Sequence, residues 1–352
     1  MIDRIEFRTF VNKRSSTFTI ATGSSDVEEN VIVKVVSGGE FGVGNANPSD
    51  VTNETRQSIE SFLARAQKRL IGTPEAELGR LHQRMEAIEP GNTAAKAAID
   101  IAVFDLLSKR EKKPLYEFLG GSRDRMITDM TIGIESKETT TQKAVKHVRS
   151  GFKALKIKVG LDYDEDVRRV AAVRDAVGPS IQLRTDANQG YSVDKAIRFC
   201  EEMQSLDVVV VEQPVKAEDY AGLKKVRDSV DIAIMADECV KSVLDARKVA
   251  RESIADMINI KLMKSAGIND AALINRLAGA ADMCTMVGCM GEIQLSIAAG
   301  LHFALSSENV LFADLDSHFN LIDDPSEGLV FEDGNLIAPN RPGLGIRTPL
   351  DG

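Results

Sequence analysis

Short apolar runs alternate with longer amphipathic segments from about Ile127 to the end of the chain's central region. The amphipathic segments, such as Asp164–Val177, Val240–Glu252 and Asn269–Ala281, predict helices. Nearly continuous apolar runs between helices are typical of a parallel sheet that is covered on both faces. Eight such units predict a (β/α)₈-type barrel. The predicted strands are Ile127–Ile134, Ala154–Val159, Ile181–Asp186, Val208–Glu212, Ile232–Asp237, Met257–Lys261, Cys284–Gly288 and Val310–Asp314.

The N-terminal region has a different pattern, which predicts a separate α+β domain. Ile2–Phe10, Thr17–Ala21 and Val31–Val36 are rich in β-forming residues, whereas residues 53–119 follow a helical pattern. Within that region, residues 92–107 are almost all apolar or alanine and predict a buried helix.

The tail from residue 325 is rich in Gly, Pro and Asn and does not fit a ninth unit. We therefore predict a capping domain of residues 1–122, completed by residues 325–352, and a barrel of residues 123–324.

Composition is that of an ordinary globular enzyme and excludes some partners. The 352 residues are 43% hydrophobic and 28% charged, with a net charge of −9, which argues against binding to a nucleic-acid backbone. No window approaches the ~20 apolar residues of a membrane span. Met1–Glu6 lacks the apolar core of a signal peptide, and the four cysteines lack CxxC spacing, so a cytoplasmic location is expected.

Three predicted barrel strands end in an acid: Asp186, Glu212 and Asp237. Active sites of such barrels lie at the carboxyl ends of the strands, and neighbouring strands are about 4.8 Å apart. Three carboxylates this close would repel one another, and a divalent cation removes the conflict. Carboxylate oxygens with coordination positions left for substrate fit Mg²⁺.

Lysines stand at the ends of two further strands. Lys156 and Lys158 are two residues apart and share one face of the second strand, and Lys261 ends the sixth. In a ring of eight strands the second and sixth are opposite, which suits proton removal from one side of a substrate and return from the other. Crowding of the first two ammonium groups is expected to lower the pKa of the proton donor.

The eighth strand carries Asp314 and Asp316, which share a face opposite the middle of the metal site. We expect this pair to be left unpaired by the metal and to bind a cation. A substrate with an ammonium at one end and a carboxylate at the other, such as a dipeptide, has the matching shape.

Together these motifs resemble the muconate-lactonizing subgroup of the enolase superfamily, and within it the dipeptide epimerases. The resemblance covers nearly the whole chain and implies a modified TIM barrel of (β/α)₇β form with an α+β capping domain. The motifs that carry it are Lys156-Ile157-Lys158, Asp186-Ala187-Asn188-Gln189-Gly190, Val211-Glu212-Gln213-Pro214, Ala236-Asp237-Glu238 and Asn259-Ile260-Lys261-Leu262-Met263-Lys264.

The resemblance implies a Mg²⁺-dependent epimerase that inverts the α-carbon of the C-terminal residue of a dipeptide through a metal-stabilised enediolate. Asp186, Glu212 and Asp237 would hold Mg²⁺, Lys158 and Lys261 would be the acid/base pair, and Lys156 would assist Lys158. Asp314 and Asp316 would bind the substrate's ammonium group. A homo-oligomer is also expected. Thr131 and Asn188 would join the substrate contacts, with Glu238 behind the metal ligands.

Two flexible loops, near Thr17–Glu29 and Asn45–Thr52, would close over the substrate. The first departs from the Ala-Glu epimerases, because Gly23 stands where those enzymes carry an arginine. Asp26 and its acidic neighbours in this loop suggest a cationic or neutral side chain on the second residue of the dipeptide.

Other readings share much of this pattern. N-succinylamino acid racemase, o-succinylbenzoate synthase and muconate cycloisomerase keep the lysines and the metal triad, but their substrates have no ammonium for the aspartate pair. A non-catalytic barrel that only binds a ligand is the alternative from another class.

Overall fold

The computed structural model describes residues 1–351, and its N-terminal part is an antiparallel sheet with helices packed on it. The sheet has the order β1–β2–β3. Its elements are β1 (Arg4–Ile20), β2 (Gly23–Ser37), β3 (Glu40–Ala46), α1 (Arg56–Arg69), α2 (Leu78–Ile88), α3 (Thr93–Arg110) and α4 (Leu115–Phe118).

Helix α3 lies unusually close to this sheet because small residues face each other. A Cβ atom built on Gly42 would lie 2.0 Å from the carbonyl oxygen of Ala102, and one on Gly44 would lie 2.1 Å from that of Ala98. Only glycine permits this approach. The alanine-rich pattern correctly predicted that α3 is buried, and it also explains why the helix can pack so tightly.

The prediction of a flexible loop at Thr17–Glu29 is wrong, because these residues form the two arms of a hairpin. Phe18 pairs with Ser25 and Ile20 with Gly23, so only a two-residue turn separates β1 from β2. The hydroxyl groups of Thr19 and Ser24 lie 2.9 Å apart across the strands. Cross-strand Thr and Ser pairs stabilise a sheet, so a polar segment that reads as loop can extend a ribbon.

The barrel has the predicted architecture. Within the described residues, eight parallel strands follow one another in chain order around the sheet, with helices between them. The strands are β5 (Asp129–Ile132), β6 (Ala154–Lys158), β7 (Gln182–Asp186), β8 (Val208–Glu212), β9 (Ala233–Ala236), β10 (Met257–Lys261), β11 (Cys284–Gly288) and β12 (Val310–Asp314), preceded by a short strand β4 (Arg125–Ile127). The helices are α5 (Lys137–Arg149), α6 (Tyr163–Val177), α7 (Val193–Ser205), α8 (Tyr220–Arg227), α9 (Val243–Glu252), α10 (Ile268–Gly279) and α11 (Gln294–Leu305).

The helical layer is incomplete after β12, where only a 3₁₀ turn, Ser317–Asn320, follows the last strand. Aromatic side chains fill the space instead. The ring of Phe152 lies 5.4 Å from that of Phe319 and 4.5 Å from that of Phe331. This arrangement is the (β/α)₇β form that was predicted.

The C-terminal tail contacts both the start of the barrel and the capping domain. Its strands β13 (Val330–Glu332) and β14 (Asn335–Ile337) form a small antiparallel sheet with β4. Further on, Gly343 accepts a backbone hydrogen bond from Leu115, and the Leu350 carbonyl accepts one from the Lys34 ammonium. In residues 1–351, no helix combines the length and apolar character of a membrane span.

An ion pair joins the capping domain to the barrel. Asp100 of α3 is fully buried and accepts a hydrogen bond of 2.7 Å from His82 Nε2 and one of 2.5 Å from the backbone N–H of Ile268. Ile268 begins α10, so the carboxylate also faces the positive end of that helix dipole. Gly267 leaves room for this contact, because a Cβ there would lie 2.2 Å from Asp100 Oδ1.

We expect this pair to make stability depend on pH. Burial alone would lower the pKa of His82, but Asp100, helped by Asp270 and opposed by Lys96, raises it above its usual value. A raised folded-state pKa gives stability that is present below the unfolded pKa of about 6.5 and is lost as pH rises through the folded value.

The free energy of unfolding should therefore fall as pH rises from about 6.5 through the folded-state pKa of His82. His82→Gln should make this fall smaller. Urea denaturation of both proteins across a pH series measures the difference. Identical pH profiles would show that the pair does not contribute.

Candidate active site

The register of the sheet brings charged side chains into one layer at the carboxyl ends of five adjacent strands. Lys158 of β6 is level with Asp186 of β7, which is level with Glu212 of β8. Glu212 is level with Met235 of β9, so Asp237 lies two residues further on and points to the same side. Lys261 ends β10. The two lysines therefore flank the three acids.

The three acids form a cluster that can hold one ion. One carboxylate oxygen from each of Asp186, Glu212 and Asp237 lies within 4.8 Å of the others, and all three residues are buried. An all-oxygen donor set of this kind fits Mg²⁺ in charge and ligand type.

Electrostatics of the cluster also favour a cation. Burial and the charge of Asp186 raise the pKa of Glu212 to about 8, and burial with the charge of Asp237 raises the pKa of Glu238 to about 7. Glu238 Oε1 accepts a 3.0 Å hydrogen bond from Asn188, but its buried Oε2 has no hydrogen-bond partner among residues 1–351. Buried carboxylate oxygens of this kind are costly unless an ion or donor compensates them.

The lysines are bound to these acids. Lys158 Nζ lies 2.5 Å from Asp186 Oδ2 and 3.0 Å from Asn188 Oδ1, and Lys261 Nζ lies 2.8 Å from Asp237 Oδ2. Each ammonium group is therefore bonded to a different acid of the cluster.

Lys156, which was expected to assist the proton donor, has a raised pKa. Its burial alone would lower the pKa, but Asp314, Glu212 and Asp186 raise it well above the usual value. Lys156 donates hydrogen bonds to Asp314 and, at 3.3 Å, to Glu212. Three carboxylates thus outweigh the effect of burial at this position.

Asp314, which was expected to be left unpaired by the metal, is bonded to neighbouring side chains. Besides the bond from Lys156, it accepts one of 3.0 Å from Thr131 Oγ1. Asp316 accepts a bond of 2.6 Å from the backbone N–H of Thr131. Burial and the charge of Asp314 raise the pKa of Asp316 to about 6.

These bonds lie at the seam between β12 and β5, where one isolated bridge, Thr128 to Ala313, is the only backbone pairing of the two strands in the described part of the chain. Asp316 therefore takes the place of a strand carbonyl for the N–H of Thr131. Both aspartates therefore bridge the seam through Thr131; both oxygens of Asp314 are bonded, and Asp316 Oδ1 lies 3.8 Å from Cys289 Sγ.

Gly23 and Asp26 do not join this cluster. Gly23 is exposed beside the turn between β1 and β2, and nothing lies within 4 Å of a Cβ built on it. Asp26 is exposed and accepts a hydrogen bond of 2.5 Å from Thr17 on the opposite strand. Gly23 was expected from an alignment and Asp26 from the charge of its segment, and both lie on the exposed surface of the hairpin.

Sequence reasoning missed two side chains that support the site. Arg184 lies two residues before Asp186 and donates a 2.5 Å hydrogen bond to Asp129 inside the barrel. Asn259 lies two residues before Lys261 and donates one of 2.6 Å to Glu212 Oε1. Alternation along each strand places both on the inward face, so this signal could have found them.

Comparison with known proteins identifies the chain's relatives. Residues 4–120 match the family model of the mandelate racemase / muconate lactonizing enzyme N-terminal domain, and residues 140–351 match the enolase C-terminal domain-like model.

Two curated relatives are each 38% identical to the chain. The hydrophobic dipeptide epimerase of Enterococcus faecalis matches over 98% of this chain and 99% of its own. The L-Ala-D/L-Glu epimerase of Bacillus subtilis matches over 98% and 96%.

A solved structure of a dipeptide epimerase from E. faecalis, complexed with Mg and the dipeptide L-Leu-L-Tyr, has a TM-score of 0.95. It is 38% identical and covers 98% of this chain and 99% of that one.

We predict that Mg²⁺ stabilises the folded chain through the acid cluster. A ligand that binds only the folded state adds about 2.7 kcal/mol at a hundred times its Kd. The midpoint of thermal unfolding should therefore rise with Mg²⁺, and Glu212→Gln should remove the rise. Differential scanning fluorimetry measures both.

Asp105→Asn is the matched control, since Asp105 is an equally buried acid of the capping domain. It should lower the midpoint without Mg²⁺ but keep the rise. A rise that survives in Glu212→Gln would place the bound ion elsewhere.

Proposed function

Since this chain belongs to the mandelate racemase / muconate lactonizing enzyme family, we propose that it is a Mg²⁺-dependent dipeptide epimerase. The observation that carries the proposal is the combination of two lysines flanking a three-acid cluster with an aspartate pair across the cavity. The first part serves proton transfer next to a carboxylate, and the second serves recognition of an ammonium group.

Asp186, Glu212 and Asp237 would hold the metal ion. When bound, Mg²⁺ would neutralise charge that develops on the substrate carboxylate and would compete with the lysines for the acid oxygens. Lys264 fixes the third ligand, because it donates to both a carboxylate oxygen and, at 2.7 Å, the carbonyl oxygen of Asp237.

Asp314 and Asp316 would orient the other end of the dipeptide. Asp314 is kept ionised by Lys156: burial alone would raise its pKa, but the lysine holds it below the usual value. Asp316 has Oδ1 available, with Cys289 Sγ 3.8 Å away. An ammonium group at this position would pair with charge that is already buried and fixed.

Lys158 and Lys261 would then carry out the reaction from opposite faces of the α-carbon. One removes the α-proton as a neutral amine, and the other, as an ammonium ion, returns a proton to the opposite face. Asn188 fixes the direction of Lys158, and Asp237 that of Lys261, so neither amine needs to reorient between the two steps.

The N-succinylamino acid racemase, o-succinylbenzoate synthase and muconate cycloisomerase readings are not favoured. Their substrates lack the ammonium that would match Asp314 and Asp316, and the chain's curated relatives are dipeptide epimerases. A purely ligand-binding barrel gives no account of two lysines held by separate acids on either side of one cavity.

A neutral side chain on the second residue of the dipeptide fits the hairpin better than a cationic one. Glu28, the innermost acid of the hairpin, accepts bonds of 2.8 and 2.6 Å from Arg14, so its charge is already compensated. The cytoplasmic location and the homo-oligomeric state stay predictions.

We predict that Lys158→Ala and Lys261→Ala each reduce epimerisation by at least about 10³-fold, because each removes one acid/base group. Each variant should still exchange the α-hydrogen of one diastereomer for solvent deuterium, and the two variants should favour opposite diastereomers. NMR in D₂O with both diastereomers of a dipeptide measures this.

Lys153→Ala is the matched control, since Lys153 is half-exposed and lies just before β6. It should retain full activity. Loss of exchange with the same diastereomer in both variants would rule out opposed bases.

We also predict that Asp316→Asn raises the KM for dipeptides about 10-fold or more, since a hydrogen bond to a charged group is worth about 1.5–3 kcal/mol. The KM for any N-succinylamino acid that is turned over should change little, because this substrate has no ammonium. Steady-state kinetics with both substrates makes the comparison. Equal effects on both would mean that Asp316 acts only on the barrel seam.

A further inference from the structure

The loop that follows β11, Cys289–Ile293, is held by the capping domain through a paired hydrogen bond. Asn47 Nδ2 donates to the carbonyl oxygen of Gly291 at 3.2 Å, and the backbone N–H of Gly291 donates to Asn47 Oδ1 at 3.0 Å. The side-chain amide thus binds one residue's peptide groups as a neighbouring strand would. Asn47 is 1% exposed and also donates to the carbonyl oxygen of Glu29 at 2.8 Å.

Three more buried asparagines extend this contact into a network. Asn30 donates to the Gly291 carbonyl oxygen at 3.2 Å and accepts a 2.8 Å bond from Asn45, which also donates to Ser296 at 2.8 Å. Asn30 is linked at 3.3 Å to Asn12. Asn30 and Asn47 are each bonded at both the donor and the acceptor end of the amide, and such buried groups specify one arrangement of the elements they join.

The fit at Gly291 is also steric. A Cβ built on this residue would lie 1.9 Å from Glu28 Oε2, and Glu28 is fixed by its two bonds from Arg14. The hairpin therefore occupies the space that a side chain at position 291 would need.

The other side of the loop reaches the proposed substrate site. Cys289 Sγ lies 3.8 Å from Asp316 Oδ1. Ser317, next to Asp316, accepts a hydrogen bond of 3.0 Å from the N–H of Glu292 and donates one of 2.6 Å to its carbonyl oxygen. The loop is thus bonded to the capping domain on one side and to the Asp316 segment on the other.

We propose that Asn47 and Asn30 are positioning residues that hold Cys289–Ile293 beside Asp316. The ammonium end of the substrate is then bound only when the capping domain contacts this loop. The part of this inference that concerns the substrate rests on the proposed function. The catalytic lysines lie on β6 and β10 and are not bonded to the network by any contact in residues 1–351.

The test is Asn47→Asp, which keeps the size and one acceptor but replaces the donor that faces Gly291 and Glu29. Loss of that donor should raise the KM for a dipeptide about 10-fold, while kcat changes less than about 2-fold, since about 1.4 kcal/mol corresponds to tenfold in binding. Hydrogen–deuterium exchange of the peptide that contains Gly291 should become about 10-fold faster.

Asn47→Ser, which is shorter but uncharged, is the second variant in case the aspartate prevents folding, and the same shifts are expected. Asn275→Asp is the matched control: Asn275 is buried, and its amide group is bonded to Ser307 and Thr285. It should leave both the KM and the exchange of the Gly291 peptide unchanged.

Unchanged exchange at Gly291 in a folded Asn47 variant would overturn the proposal, as would a fall in kcat with no change in KM. If the unaltered protein epimerises no dipeptide, the proposed function fails, but the exchange measurement still decides whether Asn47 holds the loop.

Discussion

The site depends on a balance of buried charge at the carboxyl ends of the barrel strands. Asp186, Glu212, Asp237 and Asp314 would repel one another at these distances if nothing compensated them. Lysines on β6 and β10 pair with them from inside the barrel, and the raised pKa of Glu212 and Glu238 shows that compensation is incomplete. The remaining negative charge would favour a divalent cation at the acid cluster and, in the proposed function, a substrate that carries an ammonium group. The apolar strands of the barrel supply the rigidity that keeps these charges in place.

The barrel seam links this balance to substrate recognition. Between β12 and β5 the backbone ladder is nearly absent, and the two aspartates bond to Thr131 instead. A carboxylate that completes a sheet is held in one orientation, so it can recognise an ammonium group without losing conformational freedom at the moment of binding. Each carboxylate thus bridges the seam through Thr131, and Asp316 would recognise the ammonium group with its other oxygen, Oδ1.

The sequence predicts the fold and the central chemistry because both depend on local periodicity. Strands that end in charge and residues two apart on one face place Lys158, Asp186, Glu212 and Lys261 without further information. The capping domain was harder to predict from the sequence. Thr17–Ala21 has a β-rich sequence, but the pairing of Phe18–Ile20 with Gly23–Ser25 in a hairpin is decided by contacts that no single segment reveals. Asn12, Asn30, Asn45 and Asn47 likewise look like turn residues in the sequence. Only the tertiary structure shows that all four are buried and that Asn30 and Asn47 bond to Gly291.

This division between barrel and cap explains how one chemistry can serve different substrates. The acid cluster and lysines belong to five adjacent strands whose geometry the barrel fixes. The loop after β11, which lies beside Asp316, is bonded instead to the cap through the amides of Asn47 and Asn30, with Glu28 close to Gly291. Changes in the hairpin would therefore alter the position of Cys289–Ile293 without moving a metal ligand. Relatives with the same fold and 38% identity, named for hydrophobic dipeptides in one case and for L-Ala-D/L-Glu in another, fit such a separation of specificity from catalysis.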